Sequence, residues 1–201
     1  MAYGSPHPTA SEAATSEVTS EAPSDRAFQI AAKLSGLHFG SGRLAQPELE
    51  LAATTIAASP ELYEDLVVDS TLTRWWIILH RTPGYEVRLL SWEYDQSSGW
   101  HDHGGSSGGF AVTSGVLLER CRSDDGVSID SHRFERGAHG HFGPAHVHDV
   151  LHAEGQPAVS IHAYSPPLTV LTRYEVTRFG FVAVEITPDD QRDLDAVAQR
   201  R

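Results

Sequence analysis

The sequence has one cysteine, Cys121, among its 201 residues. A single thiol cannot form a disulfide within the chain, and it cannot provide the paired CxxC ligands of a structural zinc site. The cysteine content therefore excludes both a disulfide-stabilised framework and a thiolate zinc site of that kind.

Basic residues and long apolar runs are also scarce. The chain has 15 lysine and arginine residues against 27 aspartate and glutamate residues, so its formal net charge is −12. Its longest strictly apolar run is Trp75–Leu79, which is far too short to span a bilayer. We therefore expect neither nucleic acid nor membrane as a partner. Since the N-terminus has no apolar signal-like segment, we expect a cytoplasmic protein. We also expect the protein to be a monomer.

The first 25 residues differ in composition from the rest of the chain. They are rich in Ser, Thr, Ala, Pro and Glu and have almost no large apolar side chains. Such a segment cannot bury enough surface to offset the entropy lost on ordering it. We predict a disordered acidic tail over residues 1–25, followed by one domain over residues 26–201.

Helical patterns lie at both ends of this domain. Arg26–Leu34 is a short amphipathic segment, and Pro47 begins a second helix at a permitted first-turn position. Ser59 is a candidate N-cap for a turn or helix that continues to Val67. Near the C-terminus, Thr187-Pro188-Asp189-Asp190 has the cap, the proline and the acidic first turn of a helix start. The sequence therefore predicts N-terminal helices and a short C-terminal helix.

From about residue 72 the hydrophobic pattern has a period of two, which is typical of half-buried strands. Many short strands with this spacing predict a mainly β sandwich or barrel. The candidate strands are Thr73–His80, Tyr85–Tyr94, Phe110–Arg120, Val127–Asp130, His132–Glu135, Gly140–Phe142, Asp149–Ala153, Ala158–Ser165, Val170–Glu175 and Phe179–Ile186.

Two histidines, His101 and His103, lie one residue apart next to a glycine-rich turn. In an extended chain, residues i and i+2 point to the same face, so the two imidazoles aim at one point. Neutral imidazole is the commonest protein ligand of metals such as Zn, Fe, Cu and Ni. A second histidine cluster about 45 residues later contains His146 and His148, which would face the same side of a strand. We predict a metal site formed by the first pair and a ligand from the second cluster.

Three segments carry a resemblance to a known family. Gly99–Gly115 resembles the first cupin motif, with Gly108 at the place of the usual acidic ligand, and Phe142–Val150 resembles the second motif. Three histidines without a carboxylate are the ligand set of the cysteine dioxygenase branch of cupins. The run Ser160-Ile161-His162-Ala163-Tyr164-Ser165-Pro166-Pro167 is similar to a stretch of that branch. Over roughly residues 72–175 the chain resembles a bacterial-type cysteine dioxygenase.

The resemblance implies a cupin-type β-barrel or jelly roll that uses Fe(II) and O2 to oxidise a small thiol to a sulfinic acid, with L-cysteine as the first expectation. His101, His103 and His148 match the three iron ligands. His148 is preferred to His146 because His148-Asp149-Val150 fits the H-x-V pattern of the family.

The resemblance also implies residues beyond the metal. Ser160, His162 and Tyr164 match a hydrogen-bonded relay that places a phenol beside the iron. Trp92 matches an aromatic residue near the substrate pocket, and core packing is its alternative role. In mammalian members a cysteine at the place of Gly108 is crosslinked to the tyrosine, so no crosslink is expected here.

The arginine that holds the substrate carboxylate in this family has no clear match. Its place falls within the apolar stretch Trp75–Ile78. Arg74 fits only with a shift of one or two residues, and a one-residue slip points a strand side chain the other way. Arg81 and Arg173 are further candidates. The departure leaves other thiols open as substrates: a mercaptoalkanoate, an aminothiol or a biosynthetic thiol. A cupin that binds metal without turnover is the alternative from another functional class.

Overall fold

The computed structural model describes residues 23–68 and 74–189. Its helices come first: α1 is Pro23–Ser35, α2 is Gln46–Ala57, and two 3-10 turns are Pro60–Leu62 and Glu64–Leu66. The predicted N-terminal helices are confirmed, although α1 begins three residues before the predicted domain boundary. Residues 1–22, which make up most of the predicted tail, lie outside the described residues. None of the described helices is long and apolar enough to cross a membrane.

Ten β-strands follow the helices. They are β1 Trp75–Arg81, β2 Glu86–Trp92, β3 Ser107–Ser114, β4 Val116–Arg122, β5 Ile129–Glu135, β6 His139–Phe142, β7 His148–His152, β8 Ala158–Ser165, β9 Val170–Thr177 and β10 Gly180–Pro188. The predicted strand Phe110–Arg120 is thus divided in two. The break falls at Gly115, which has a φ of +69° and no room for a Cβ against Ala158.

Antiparallel pairing organises these strands into two sheets and a hairpin. The first sheet has the order β1-β2-β8-β3-β6, the second has the order β5-β4-β7, and β9 and β10 form the hairpin. Strands that are distant in sequence are neighbours in the first sheet, as in a jelly roll. The predicted mainly β, cupin-type fold is confirmed in its jelly-roll form, since the strand order of the described residues does not close into a continuous barrel.

The prediction of a helix start at Thr187 is wrong. Thr187 and Pro188 end β10, where they pair with Leu171 and Val170 of β9. Pairing along the hairpin therefore overrides a local sequence pattern that favours a helix. Residues 190–201, which carry the remainder of the predicted C-terminal helix, lie outside the described residues.

The first sheet is buried on both faces, and alternation along its strands separates two cores. Odd-numbered positions such as Leu89 and Ile161 pack against buried α2 residues, of which Leu49 and Ile56 are fully buried. Even-numbered positions point instead into the space between the two sheets, where the second core includes Trp92, Val112, Leu117, Val150 and Tyr164. Polar residues at even positions of β8 therefore face the sandwich interior.

Candidate metal centre

Three histidines from two segments converge between the sheets. His101 and His103 precede β3, and His148 begins β7. The backbones of His101 and His148 exchange two hydrogen bonds, of 2.8 and 3.0 Å. One nitrogen from each of the three rings lies within 4.8 Å of the other two, and all three residues are buried. The fold thus presents three imidazoles to one point.

Two of these rings are oriented by an acceptor behind them. His101 Nδ1 lies 2.8 Å from the carbonyl oxygen of Gly99, and His148 Nδ1 lies 2.6 Å from Oε1 of Glu119. Because a carbonyl and an ionised carboxylate only accept hydrogen bonds, each Nδ1 carries the proton and each Nε2 keeps its lone pair. This is the outer support that metal-ligating histidines have in proteins.

The surroundings of His103 show whether a metal fits this site. Neither of its ring nitrogens has a hydrogen-bond partner among the described residues, and both are buried. Buried polar atoms without partners are rare and costly, and a bound ion is one of the arrangements that satisfies them. Three imidazole nitrogens with one unsatisfied ring form a donor set that suits Fe, Zn, Cu or Ni. The residues therefore fit a transition metal.

Burial keeps the three rings neutral. It lowers the pKa of His101 and of His103 well below the usual value, and the neighbouring His148 acts in the same direction. Burial also lowers the pKa of His148, against the opposing effect of Glu119. Neutral imidazole is the form that binds metals, so the site is prepared for binding at neutral pH.

Asp102, between the first two histidines, fixes their segment from the opposite side. Its Oδ1 accepts hydrogen bonds from the backbone N–H groups of Gly104 and Thr172, at 2.9 and 3.2 Å. Its Oδ2 accepts one from the hydroxyl of Tyr174 at 2.8 Å. Since the side chain of an intervening residue points away from its neighbours in an extended chain, Asp102 anchors the segment to β9 while the histidines face inward.

Glu119 on β4 is a site residue that the sequence analysis missed. Burial raises its pKa, but hydrogen bonds from His146 and His148 outweigh burial and hold that pKa well below its ordinary value. The sequence does contain an indication of this role, because Glu119 lies between Leu117 and Cys121, two apolar residues on the inward face of the same strand. A carboxylate at such a position has to be paired.

The structure separates the two histidines of the second cluster. His146 Nε2 lies 2.8 Å from the same Oε1 of Glu119 that contacts His148. Glu119, His146 and His148 also form a compact group of potential metal ligands. However, the two histidine nitrogens lie at hydrogen-bond distance from Glu119 Oε1. His146 therefore supports the carboxylate, and the geometry favours His148 as the third ligand.

Gly108 explains why a carboxylate ligand is missing at the usual cupin position. It lies opposite Phe142 on β6 and opposite Tyr164 on β8. A Cβ at Gly108 would lie 2.1 Å from Cζ of Phe142, whose ring stacks on His103 with centroids 4.8 Å apart. An aromatic ring occupies the space that an acidic side chain would need.

We expect the Gly108→Ala variant to lose about 2 kcal/mol of unfolding free energy, with a Tm lower by roughly 6 °C, because the Phe142 ring must move. Calorimetry of the metal-free protein measures this change. Gly42→Ala is the matched control, since a Cβ at Gly42 meets nothing within 4 Å. Equal Tm values for the two variants would contradict the tight packing at Gly108.

Ser160, His162 and Tyr164 follow each other at alternate positions of β8. Ser160 Oγ lies 2.9 Å from His162 Nε2, and the Tyr164 hydroxyl lies 3.3 Å from His162 Nδ1. The Tyr164 ring lies 5.3 Å from the His103 ring between centroids. Burial lowers the pKa of His162 to about 3 and raises the pKa of Tyr164 to about 12. Both groups are therefore uncharged over the physiological pH range.

A cavity of about 250 Å³ opens beside the histidines and Tyr164. Three arginines, Arg74, Arg88 and Arg173, contribute to its wall together with Asp189. Arg81 is not among the lining residues, and its guanidinium pairs with Glu86 at 2.8 Å. The remaining lining residues are Trp76, Leu90, His101, His103, Tyr164, Leu168, Leu171, Thr187 and Pro188.

Arg74 lies just before β1, a strand that contains a β-bulge. Between β1 and β2, Ile78 pairs with Arg88 while His80 pairs with Val87, so β1 contains one extra residue. Arg74 and Trp76, two positions apart, both line the cavity. Arg74 therefore lies on the same side of the chain as Trp76, toward the cavity.

A match to a known protein family covers the part of the chain that forms this site. The model of the family described as cysteine dioxygenase type I matches residues 58–177, which is more than half of the chain. The chain belongs to this family. The matched part contains all the residues of the histidine cluster and of the β8 relay.

Solved structures match about half of this chain at low sequence identity. A protein from Thermus thermophilus is 15% identical, with a TM-score of 0.46 over 52% of this chain and 93% of that chain. A protein with a double-stranded β-helix domain from Klebsiella pneumoniae is 16% identical, with a TM-score of 0.46 over 51% and 80% of the two chains. The curated proteins include no significant match.

Trp92, which the sequence analysis placed near the substrate pocket of a cysteine dioxygenase, lies behind the cavity wall. It is 1% exposed, and its Nε1–H donates a hydrogen bond to Ser160 Oγ at 3.0 Å. The guanidinium of Arg74 lies 4.7 Å from the centroid of its ring. Trp92 thus contacts both the relay and an arginine of the cavity, and a direct contact with substrate stays a prediction.

Proposed function

We propose that this member of the cysteine dioxygenase family is an Fe(II)-dependent enzyme that oxidises a small thiol with O2 to a sulfinic acid. The observation that carries the proposal is the buried cluster of His101, His103 and His148, in which neither ring nitrogen of His103 has a hydrogen-bond partner among the described residues. The reaction balances as RSH + O2 → RSO2H, in which both oxygen atoms bind to sulfur and sulfur loses four electrons. L-cysteine and a mercaptoalkanoate are both compatible with this chemistry.

The three histidines would hold the iron and leave its remaining positions to ligands from the cavity. When bound, Fe(II) supplies the redox chemistry and the coordination that lowers the pKa of a substrate thiol. Because neutral imidazoles add no negative charge, the site favours an anionic thiolate. Arg74 is suited to hold a carboxylate of the same molecule, since a guanidinium offers two parallel N–H donors.

The relay on β8 orients the Tyr164 hydroxyl. Trp92 donates to Ser160, so the Ser160 hydroxyl can donate to His162 Nε2. His162 Nδ1–H then donates to the Tyr164 oxygen, which leaves the phenolic proton free to hydrogen-bond a group in the cavity. This arrangement uses each donor once. Tyr164 therefore acts as a fixed donor toward the reacting atoms.

For the Tyr164→Phe variant we expect kcat to fall by about 10- to 100-fold with KM for the thiol nearly unchanged, because a hydrogen bond to a charged group contributes about 1.5–3 kcal/mol. Oxygen uptake at saturating thiol measures this. Tyr94, which is 60% exposed, gives the matched control Tyr94→Phe. A similar kcat in both variants would remove Tyr164 from the reaction.

The direct test begins with the metal-free protein, loaded anaerobically with Fe(II). Oxygen uptake is then followed with a panel of thiols under ¹⁸O2, and the products are read by mass. We expect one iron per chain, one O2 consumed per thiol, and two labelled oxygen atoms in the sulfinate. Iron binding without oxygen uptake for any thiol would contradict the proposal and favour a metal-binding cupin without turnover.

We also propose that the protein is a cytoplasmic monomer, as the sequence analysis expects. Sedimentation of the iron-loaded protein tests its mass in solution, and cell fractionation tests its location. A stable dimer or a membrane-bound fraction would contradict the respective expectation.

A further inference from the structure

The charged side chains that line the cavity restrict which thiols can bind there. Among the described residues its wall contains three guanidiniums, of Arg74, Arg88 and Arg173, and one carboxylate, of Asp189. The chain as a whole has a net charge of −12. The wall of the cavity is therefore richer in positive charge than the chain as a whole.

Arg88 is neutralised by its own neighbours. Its two terminal nitrogens donate to the carboxylate of Asp189 at 2.9 and 2.5 Å, and its Nε donates to Glu86 at 2.6 Å. Its guanidinium also lies 4.5 Å from the ring centroid of Trp76. Because its three guanidinium nitrogens are paired with carboxylates and one of its faces lies on Trp76, Arg88 is part of the wall and is not available to a ligand.

Arg74 and Arg173 have no carboxylate partner among the described residues. Arg74 stacks on Trp92, and Arg173 donates one N–H group to the carbonyl oxygen of Ser98 at 2.6 Å. Burial lowers the pKa of Arg74 to about 10, and the nearby Arg173 adds to this effect, yet Arg74 remains charged at neutral pH. Two like charges that share a partly buried cavity are unfavourable until an anion enters.

We infer that the thiol substrate carries two acidic groups and no amine, with one acidic group held by Arg74 and the other by Arg173. Each guanidinium presents its own fork of donors, so two carboxylates on one small molecule satisfy both. The inference rests on the proposed thiol oxidation at the same cavity. A volume of about 250 Å³ limits the substrate to a small metabolite.

The same charges disfavour a zwitterionic amino acid. An ammonium group placed beside Arg173 would meet a like charge. A thiol with a single carboxylate would leave one guanidinium without a partner. The affinity order expected from the cavity is therefore a thiol dicarboxylate first, a thiol monocarboxylate second and an aminothiol acid last.

Binding to the Fe(II)-loaded protein under nitrogen tests this order with mercaptosuccinate, 3-mercaptopropionate and L-cysteine as probes. We expect mercaptosuccinate to bind at least about tenfold more tightly than 3-mercaptopropionate, and L-cysteine to bind most weakly. Arg173→Met is expected to weaken mercaptosuccinate by about tenfold and 3-mercaptopropionate by less than about threefold. Arg173→Lys, which keeps the charge, is expected to retain part of the preference and guards against a folding defect.

Arg133→Met is the matched control, because Arg133 is exposed and pairs with Glu135 and Glu154 outside the cavity. Tightest binding of L-cysteine would overturn the inference. So would an equal loss for both mercaptoacids in Arg173→Met, which would mean that both arginines hold a single carboxylate.

Succinate, which has no thiol, separates this inference from the proposed reaction. Binding of succinate that depends on Arg74 and Arg173, without oxygen uptake for any thiol, would support a dicarboxylate site and contradict the dioxygenase. Rapid oxidation of L-cysteine that is unaffected by Arg173→Met would support the dioxygenase and overturn the dicarboxylate site.

Discussion

The His103→Ala variant is expected to lose stoichiometric iron and about 1000-fold of the thiol-dependent oxygen uptake, a loss of about 4 kcal/mol in transition-state stabilisation. The reason is the environment of the buried His103 ring. Its nitrogens have no hydrogen-bond partner among the described residues, and its neighbours are the stacked ring of Phe142, the tilted ring of Tyr164 and the two other histidines of the cluster. A metal is the partner that makes this buried imidazole favourable.

The stability of the metal-free protein distinguishes a ligand from a structural histidine. Removing an unsatisfied buried polar ring regains part of its desolvation cost, which offsets the lost packing. We expect the Tm of metal-free His103→Ala to lie within about 3 °C of the metal-free wild type, while the stabilisation by added Fe(II) disappears. Metal analysis and calorimetry with and without Fe(II) measure both effects. His132→Ala, at an exposed position of β5, is the control.

A loss of Tm without a loss of iron would instead make His103 a packing residue. In that case the remaining pair, His101 and His148, would have to find a third ligand elsewhere. Glu119 is the nearest carboxylate to His148, at 2.6 Å from its Nδ1, but it lies behind the ring. The geometry therefore leaves no equivalent replacement within the described cluster.

The parts of the site that the sequence predicted are those that depend on local period alone. His101 and His103 converge because they are two residues apart in extended chain, and Ser160, His162 and Tyr164 share a face for the same reason. Both patterns depend only on the spacing of residues within one segment, and not on how the neighbouring strands are arranged. The motif resemblance adds His148, whose approach depends on pairing between distant segments.

The features that the sequence analysis missed depend on how strands pair. The bulge after Ile78 and the position of Arg74 beside the cavity appear only once β1 is paired with β2. Thr187 and Pro188 have a helix-start pattern, yet their partners on β9 hold them in a strand. A prediction from local pattern cannot weigh hydrogen bonds to a segment that it has not yet placed.

Glu119 shows the same limit within the site itself. The break at Gly115 separates β3 from β4, and β4 then belongs to the second sheet, where Glu119 pairs with Val150 of β7. Only this crossing brings its carboxylate behind His148. From sequence, Glu119 is one of 27 acidic residues, and its inward position on an amphipathic strand is the sole indication of a role.

The Glu119→Gln variant is expected to bind Fe(II) or Co(II) about 10- to 100-fold more weakly than the wild type, because an amide orients and polarises His148 less than a carboxylate does. Competition with a chelator measures the affinity, and the visible absorption of the Co(II) form reports any change in ligand geometry. His146→Asn is the matched control, since it replaces the other imidazole that contacts Glu119 by a shorter side chain and leaves the carboxylate on His148. If Glu119→Gln keeps both the wild-type affinity and the Co(II) spectrum, the carboxylate serves the packing of the sandwich and not the metal. If His146→Asn weakens the metal as much as Glu119→Gln does, the three groups act as one hydrogen-bonded unit, and the support of the third ligand extends to the edge of β7.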